Sequence, residues 1–574
     1  MSGENPPLAK KRIIVCCDGT WQNADNGFTK PTKSDPVPKL QVSSNVARIS
    51  RSFKRRCSDG TFQIIYYQSG VGSRFGTLDR FLGGAFGCGL SENVREAYAF
   101  ICANYFDGDE IVLVGFSRGA FTARSIGGLI SDLGLLTREG MEYFYPVYKD
   151  MQNWLNPRYN DPFPNLPFAD KPKGPNADDI YRERLVEMGY TRTREKKGQG
   201  DFIKVKAIGV WDTVGSLGIP FYNTKLSGKI EHAFHALALD ESRGPFTPTL
   251  WERPEDGEIT DLRQVWFPGS HSNVGGGWED QGIADITLAW MMDQLSSVKV
   301  EFLDNALDKF FEDNIKLYHR EPPSKGMLET LSAYLGGFGA AKAKLPWATK
   351  EIMDAHAPVR PWSLQMTRSV KSAIWDLAGN VIRSPGMYKK IDPETGRPTK
   401  EFLEQTNERI HSSVRVRLAC EGLGVNDSAP WDCSSLLKHW HPHRVTQNFK
   451  DPVSRFASWG PQSVRISPQV MNTSKTNHGT AEGSTLPNID LESPDELRLV
   501  WEYIGPEKNA PPVTMMVEEN MGPFERHLLQ LSSANMEVFG YAEKKEPNHF
   551  KAMLKKGSGK VKETREAIRT ETGA

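Results

Sequence analysis

The stretch Ile111–Arg124 reads IVLVGFSRGAFTAR. Its first four residues are apolar and mostly β-branched, a pattern typical of a buried parallel strand. The pentapeptide that follows has the form Gly-x-Ser-x-Gly and leads into residues that can continue as a helix. We therefore predict a strand, a sharp turn at Ser117 and a helix. Gly115 and Gly119 are expected to relieve crowding in that turn.

A serine on such a turn presents its hydroxyl at the end of the strand, and the helix N-terminus behind it favours developing negative charge. A serine in an ordinary glycine-rich turn is the alternative explanation, because the chain contains 51 glycines. The interpretation of Ser117 as a nucleophile therefore requires an acid, a histidine and oxyanion-stabilising amides elsewhere, with the triad in the order serine, aspartate, histidine.

Two further predicted strands end beside residues that complete such a set. Residues 202–211 are largely apolar and lead into Asp212, and residues 264–267 open into a glycine-rich loop that carries His271. Open parallel sheets place functional groups at the carboxyl ends of their strands. We predict Ser117 as nucleophile, His271 as its general base and Asp212 as the carboxylate that orients the histidine. The alternatives are a turn-capping aspartate and a backbone-bonded loop histidine.

Other histidines and the cysteines are weaker candidates for chemistry. His232 and His235 are three residues apart, and we expect them to share a helix face. A metal pair there lacks a third ligand at suitable spacing, so packing or surface roles are favoured, and His319 has no better context. The seven cysteines show no Cys-x-x-Cys spacing, which argues against a zinc site or a disulfide framework. We expect neither a metal nor an organic cofactor.

The first predicted strand, residues 12–17, ends in the sequence Asp18-Gly19-Thr20. In hydrolases built on this turn, one oxyanion amide comes from the residue after the nucleophile, here Arg118, and the second from the loop after an early strand. Gly19 or Thr20 is the expected second donor, because a glycine lets the backbone approach closely. A plain strand-end turn capped by Asp18 is the alternative.

Asp18 also suggests a different enzyme class. An aspartate followed by Gly-Thr after a first strand resembles the Asp-x-Asp-Gly-Thr motif of haloacid-dehalogenase-type phosphatases, in which the first aspartate is the nucleophile. That position is Cys16 in this chain. A phosphatase that uses Asp18 therefore stays as a weak alternative.

Strand and helix patterns alternate on both sides of Ser117. They predict a doubly wound, mostly parallel sheet. Because Ser117, Asp212 and His271 follow the chain order of α/β hydrolases, we expect an α/β-hydrolase-like fold with large insertions and a C-terminal extension. We expect a disordered lead (1–11), a catalytic core (12–300) with a proline-rich inserted loop near 153–200, an extension with a lid and accessory region (301–541), and a disordered basic tail (542–574). Within the extension, residues 328–341 suggest a lid or lipid-facing segment, with a buried helix as the commoner alternative.

Composition narrows the class of partner and the compartment. Basic and acidic residues balance at 71 each, which removes the simplest argument for a nucleic-acid binder. The polar N-terminus lacks the apolar core of a signal peptide, and no run approaches roughly 18 apolar residues, so we expect a cytoplasmic protein without a transmembrane helix. The tail is compatible with peripheral contact to an anionic membrane, although a solvated tail is commoner. The sequence does not predict an oligomeric state.

Four ordered segments carry a resemblance to one family. They are CCDGTW (16–21), GFSRGA (115–120), VWDTVG (210–215) and FPGSHSNVGGG (267–277). Over residues 12–300 the chain is similar to an α/β-hydrolase family of unknown function, common in fungi and bacteria, that includes the catalytic domain of type VI secretion phospholipase effectors. The resemblance implies a Ser-Asp-His hydrolase, with phospholipase activity in the characterised bacterial relatives. Asn273 departs from the aspartate of many members, which leaves the triad intact and alters the hydrogen bonding of its loop.

The resulting expectation is a serine hydrolase of carboxylic esters, foremost lipid or phospholipid esters, that needs no cofactor. A catalytically silent interaction module with the α/β-hydrolase fold is the second hypothesis, and it predicts a blocked or misaligned site. The phosphatase is the third hypothesis. It predicts dependence on magnesium and on Asp18, and indifference to Ser117.

Overall fold

A computed structural model describes most of the chain. The described residues are 10–19, 28–29, 39–70, 86–154, 156, 158–174, 176–214, 226–253, 260–320, 360–369, 379–392, 397–427, 429–445 and 498–545. Thr20, the predicted lid at 328–341 and most of the predicted tail lie outside the described residues.

The strands in the described part of the chain are β1 (Lys11–Cys17), β2 (Phe28–Thr29), β3 (Lys39–Leu40), β4 (Phe62–Gln68), β5 (Glu110–Phe116), β6 (Leu135–Leu136), β7 (Thr191–Arg192), β8 (Val205–Trp211), β9 (Ile230–Ala238), β10 (Asp261–Phe267), β11 (Lys389–Ile391), β12 (Pro398–Phe402), β13 (Glu408–His411), β14 (Trp440–Val445), β15 (Arg498–Tyr503) and β16 (Met515–Glu519).

The α-helices in the same part are α1 (Asn45–Ser50), α2 (Phe86–Asn104), α3 (Arg118–Leu133), α4 (Arg138–Glu142), α5 (Phe144–Asn153), α6 (Ala177–Glu187), α7 (His271–Gly275), α8 (Gly282–Ser297), α9 (Ala306–Arg320), α10 (Ser412–Ala419), α11 (Ser434–Leu437), α12 (Pro523–Gln530) and α13 (Ser533–Glu543).

One large sheet dominates the described residues. Its strand order is β14-β15-β16-β13-β10-β9-β8-β5-β1-β4, and every pairing from β4 to β16 is parallel. β15 runs antiparallel to both of its neighbours. Helices α1 and α8 pack on one face, and helices α2 and α3 pack on the other. The predicted doubly wound, mostly parallel α/β sheet is therefore confirmed.

Alternate residues of the central strands enter two separate cores. In β5, Val112 and Val114 pack with the side chains of α1 and α8, whereas Ile111 and Leu113 pack with those of α2 and α3. All four side chains are fully buried. Because both faces of the sheet are covered, the strand reads as a continuous apolar run and not as an alternating pattern.

The strand register aligns the ends of three strands at one edge of the sheet. Cys17 pairs with Gly115 across β1 and β5, and Phe116 pairs with Trp211 across β5 and β8. The amide of Ser117 continues this ladder, because it donates to the Trp211 carbonyl at 3.1 Å. The chain therefore leaves β1, β5 and β8 at neighbouring points.

Residues beyond 300 extend the same sheet. β13, β16, β15 and β14 follow β10, so the sheet crosses the expected boundary between core and extension. The sequence of residues 410–418 fits a strand or a helix, and the structure contains both, since β13 ends at His411 and α10 begins at Ser412. The segment near 153–200, expected to be a loop, also holds α6 and β7. A helix forms there because the prolines of the segment all precede Asn176.

Asp293, on α8, caps a helix of the extension. Its two carboxylate oxygens accept hydrogen bonds from the amides of Phe524 (2.8 Å) and Glu525 (3.0 Å) in the first turn of α12. These amides have no acceptor inside the helix. Gly522, the residue before the first residue of α12, has no side chain to cap them. Asp293 therefore supplies the cap from another element and joins the two parts of the chain.

We expect Asp293→Ala to lower the free energy of unfolding by about 2 kcal/mol, because two amides in the first turn of α12 lose their acceptor. Urea titration followed by tryptophan fluorescence measures this difference. Asp313→Ala is the control, since the Asp313 side chain is 71% exposed and pairs with Lys316 one turn away on the surface of α9. A loss no larger than that of the control would contradict the proposed cap.

Candidate active site

Ser117 occupies a sharp turn between a strand and a helix. It follows β5 directly and precedes α3, and its backbone dihedrals are φ 57° and ψ −120°. A positive φ is uncommon for a residue with a side chain, and strain of this kind costs on the order of 1–3 kcal/mol. It is the strain expected of a serine raised on a strand-to-helix turn.

The two glycines of the pentapeptide allow the turn to pack. A Cβ on Gly119 would lie 2.1 Å from the carbonyl oxygen of Cys17, and a Cβ on Gly115 would lie 2.5 Å from the carbonyl oxygen of Gly119. Both obstacles are backbone atoms, which cannot move aside as the end of a side chain can. Glycine is needed at 119 because the end of β1 packs against the turn, and at 115 because the first turn of α3 lies directly against it.

Asp18 holds the loop after β1 in place. Its carboxylate accepts hydrogen bonds from Ser44 Oγ (2.7 Å), Tyr67 Oη (2.6 Å) and the amide of Gly19 (2.7 Å). Burial raises the pKa of Asp18 to about 6, although these hydrogen bonds act in the opposite direction. A Cβ on Gly19 would lie 3.4 Å from the Cβ of Ser117, so the loop lies directly against the serine.

Two of the predicted oxyanion donors, Arg118 and Gly19, lie next to Ser117. Arg118 is the first residue of α3, where amides have no acceptor inside the helix. Its side chain is half-buried, and burial lowers the pKa of the guanidinium to about 10. The Gly19 amide is engaged by Asp18, and Thr20 lies outside the described residues.

Asp212 and His271 form a buried hydrogen-bonded pair. Asp212 follows β8, and His271 is the first residue of α7, shortly after β10. His271 Nδ1 lies 2.6 Å from Asp212 Oδ2. Asp212 is fully buried, and His271 is 4% exposed. The contact favours the neutral tautomer with the proton on Nδ1, which leaves Nε2 as an acceptor.

Further donors surround the Asp212 carboxylate. Arg383 Nη1 donates to Oδ1 at 2.7 Å, and Arg383 Nη2 donates to Oδ2 at 3.0 Å. The amide of Ala238 donates to Oδ1 at 3.1 Å. Burial alone would raise the pKa of Asp212, but the Arg383 guanidinium and the hydrogen bond with His271 hold it well below its usual range. The aspartate is therefore ionised at neutral pH.

Burial also sets the protonation state of His271. It lowers the pKa of His271 from the ordinary value of 6.5, and Asp212 opposes this effect without reversing it. Glu241, which accepts the His271 amide at 3.2 Å, raises the same pKa by a smaller amount, and Arg243 lowers it. The ring is neutral at pH 7, which is the form that accepts a proton.

Asn273 fixes the loop that carries His271. Its Oδ1 accepts hydrogen bonds from the amides of Ser270 (3.1 Å) and Arg368 (3.0 Å), and its Nδ2 donates to the Met366 carbonyl at 3.3 Å. An aspartate accepts hydrogen bonds but does not donate them, so the last contact requires asparagine. Asn273, which stands in place of the aspartate expected from the resemblance, therefore ties this loop to the C-terminal extension.

Aromatic rings bring the serine turn close to the histidine. The ring centroids of Phe116 and His271 are 4.7 Å apart, and the ring of Phe246 meets His271 edge-on at 4.9 Å. Within the described residues, the His271 side chain is hydrogen-bonded to Asp212 and not to Ser117. The structure thus joins Asp212 to His271 and places Ser117 next to the phenylalanine that packs on His271.

The predicted helix around His232 and His235 is wrong. Both lie on β9, a strand buried on both faces, where the sequence shows no clear alternation. Residues i and i+3 of a strand point to opposite faces, so the histidines do not pair. His235 is fully buried, burial lowers its pKa to about 3, and its Nε2 accepts the amide of Thr213 at 3.0 Å. It thereby fixes the turn that carries Asp212.

The sequence did not reveal the contacts of Arg383, His235 and Glu241. For His235 and Glu241 the sequence holds a usable signal, since each is a polar residue within or beside an apolar buried strand. Such groups are rarely buried without a hydrogen-bond partner. Arg383 stands between Ile382 and Ser384 in a stretch without periodicity or motif, and nothing in its local sequence indicates a partner.

Two other findings concern the described part of the chain. No three His, Cys, Asp or Glu side chains in it converge so as to hold a metal ion. None of its helices combines the length and the apolar character needed to cross a bilayer. His319 lies on α9.

Comparison with known proteins identifies relatives of this chain. The family of T6SS phospholipase effectors, Tle1-like, catalytic domain, matches residues 11–294. An uncharacterized protein of Saccharomyces cerevisiae is 28% identical over 283 residues, covering 44% of this chain and 36% of the yeast protein. This chain therefore spans only about a third of the yeast relative (36%).

A solved structure was also found. The crystal structure of an uncharacterized protein from Pseudomonas aeruginosa aligns with 49% of this chain and 45% of that chain, at 17% identity and a TM-score of 0.28. A score this low supports no conclusion about the fold.

The segment matched by the family contains all four motifs that carried the resemblance, together with Ser117, Asp212 and His271. The predicted resemblance is thereby confirmed. Residues 11–294 of this chain are therefore similar to the Tle1-like phospholipase-effector catalytic domain.

Proposed function

We propose that the protein is a serine hydrolase of carboxylic esters and that its substrates are lipid or phospholipid esters. The observation that carries the proposal is the strained turn at Ser117, at the same sheet edge as the buried Asp212–His271 pair. Backbone strain of this kind clusters at sites of chemistry. The family match to a phospholipase catalytic domain supports the choice of lipid esters.

In the proposed reaction, Ser117 Oγ attacks the ester carbonyl carbon while His271 Nε2 accepts the hydroxyl proton. The tetrahedral intermediate then breaks its bond to the alcohol, which takes the proton from His271 and leaves the acyl group on Ser117. Water attacks this acyl-enzyme with His271 as base, and the carboxylic acid leaves as the serine is restored. Asp212 holds the histidine tautomer and stabilises the imidazolium.

Main-chain amides are proposed to stabilise the oxyanion. Arg118 supplies one amide from the start of α3. Thr20 is the better of the two candidates for the second, because the Gly19 amide already donates to Asp18. Loss of one such donor costs roughly 3–4 kcal/mol of transition-state stabilisation in enzymes where it has been removed.

The hydrogen bond between Ser117 and His271 is proposed to form when substrate is bound. Catalytic hydrogen bonds are often long in the free enzyme and shorten in the Michaelis complex. His271 is 4% exposed and its ring contacts the rings of Phe116 and Phe246, so the proton transfer would take place where water is scarce and electrostatic interactions are strong.

The alternative functions make different predictions. The Asp18 carboxylate accepts hydrogen bonds from Ser44, Tyr67 and Gly19, an arrangement that suits a role in holding the loop. Magnesium-dependent hydrolysis of phosphate esters that requires Asp18 would favour the phosphatase. A folded protein with an unreactive Ser117 would favour the interaction module.

Ser117→Ala is expected to reduce kcat for ester hydrolysis at least about 10⁴-fold, because the acyl group loses its acceptor. Nitrophenyl esters of increasing chain length and phospholipid vesicles provide the substrates, and circular dichroism checks the fold. Ser297→Ala is the control, since the Ser297 hydroxyl donates to the Gln294 carbonyl at 2.6 Å at the end of α8. Unchanged turnover in Ser117→Ala would refute the proposed nucleophile.

Activity is expected to fall at acid pH with a midpoint below 6.5. Neutral His271 is the base, so kcat/KM declines as pH falls through the pKa of His271. Burial lowers that pKa from 6.5 by more than Asp212 raises it.

A pH profile of kcat/KM measures this midpoint. Asp212→Asn removes the opposing effect of the carboxylate, so the midpoint should move still lower while the rate falls about 10⁴-fold. A wild-type midpoint above 6.5, or an upward shift in Asp212→Asn, would be inconsistent with His271 as the base.

A further inference from the structure

The guanidinium of Arg383 reaches Asp212 from outside the segment that matches the family, residues 11–294. Its two terminal nitrogens contact the two carboxylate oxygens at 2.7 and 3.0 Å. We propose that Arg383 is a positioning residue that orients the Asp212 carboxylate toward His271, so that the C-terminal extension completes the catalytic site. This inference rests on the proposed function.

The fork of the guanidinium fixes the plane of the carboxylate. An aspartate carboxylate otherwise rotates easily about its terminal bond. Two parallel N–H···O bonds from a planar group hold one orientation, which a single point charge does not. Asp212 Oδ2 accepts the hydrogen bond from Arg383 Nη2, and the same oxygen lies 2.6 Å from His271 Nδ1. The orientation of the histidine ring therefore depends on Arg383 through Asp212.

Arg383 is itself held in place. It is 3% exposed, and its Nη2 also donates to the Phe246 carbonyl at 2.7 Å. The ring of Phe246 packs edge-on against His271. Two residues before Arg383, the amide of Val381 donates to the Ser242 carbonyl at 2.7 Å. The arginine thus links the main chain on the rim of the site to the side chain of Asp212.

The positive charge of Arg383 does not by itself explain why an arginine lies beside Asp212. A cation beside Asp212 reduces the support that the carboxylate gives to the imidazolium form of His271. Charged and titratable groups lie around each of the three residues. Asp212 faces Arg383 and His235, and His271 faces Glu241 and Arg243. Arg383 faces Tyr388 and Glu241 in addition to Asp212. Arg383 therefore contributes through the orientation of the carboxylate.

The test measures kcat and KM for one ester substrate across pH in wild type, Arg383→Ala and Arg383→Lys. For Arg383→Ala we expect kcat to fall about 100-fold with little change in KM, as for a small misplacement of a catalytic group. The acid limb of its pH profile, where activity falls as pH is lowered, should move to higher pH, because loss of a cation favours protonated His271. Guanidinium chloride at millimolar concentration should restore part of its kcat.

The lysine variant separates charge from orientation. Arg383→Lys keeps the positive charge, so its acid limb should stay near that of wild type. It lacks the planar fork, so its kcat should remain reduced. Wild-type kcat in Arg383→Lys would overturn the proposal, and this variant decides the question where Arg383→Ala does not fold.

Arg415→Ala is the matched control. Arg415 is also a buried arginine of the extension, and it forks onto Glu518 through Nε (3.0 Å) and Nη2 (2.8 Å). Its loss should lower thermal stability, leave the acid limb in place and produce no response to guanidinium.

Two results for Arg383→Ala would overturn the inference. One is wild-type kcat, and the other is a loss of kcat that leaves the acid limb unmoved and does not respond to guanidinium. Failure of the proposed function is a distinct outcome, in which the wild-type protein shows no turnover that depends on Ser117. That outcome would overturn the proposed function and, with it, the role assigned to Arg383.

Discussion

The fully buried carboxylate of Asp212 is the constraint around which the site is built. An ionised carboxylate without partners is costly to bury, so donors must surround it. They come from three different places in the chain: His271 after β10, the amide of Ala238 at the end of β9, and the two terminal nitrogens of Arg383 in the extension. His235 accepts the amide of the neighbouring Thr213. Satisfying this one charge therefore fixes the histidine loop, two strand ends and part of the C-terminal region relative to one another.

The parallel sheet makes this convergence possible. Because β1, β5, β8 and β10 all run in the same direction, the loops that follow them meet at one edge, and Ser117, Asp212 and His271 each follow such a strand. The extension then contributes twice, once by adding strands beside β10 and once by reaching over the edge with Met366, Arg368 and Arg383. A catalytic core confined to residues 12–300 would lack these contacts.

The sequence predicts best where local chemistry and position coincide. The turn at Ser117 follows from an apolar run and two glycines, and Asp212 and His271 are recognisable because polar residues follow buried strands. β9 was misassigned because a strand covered on both faces has no alternating pattern, and a short apolar run does not distinguish it from a helix. The contact of Arg383 with Asp212 and the addition of the strands beyond residue 400 to the central sheet could not be foreseen, since the partners are distant in sequence. The domain boundaries, the lid and the roles of the site residues stay predictions.

The central claim is that Ser117 is an activated nucleophile, and the most direct test identifies the residue that reacts with a fluorophosphonate probe. Full-length protein would be treated with the probe, digested and mapped by mass spectrometry, with a His271→Ala variant alongside. We predict one adduct, on the peptide that contains Ser117, and its loss or strong slowing when His271 is replaced. An adduct on another residue, or a folded protein that does not react at all, would contradict the claim.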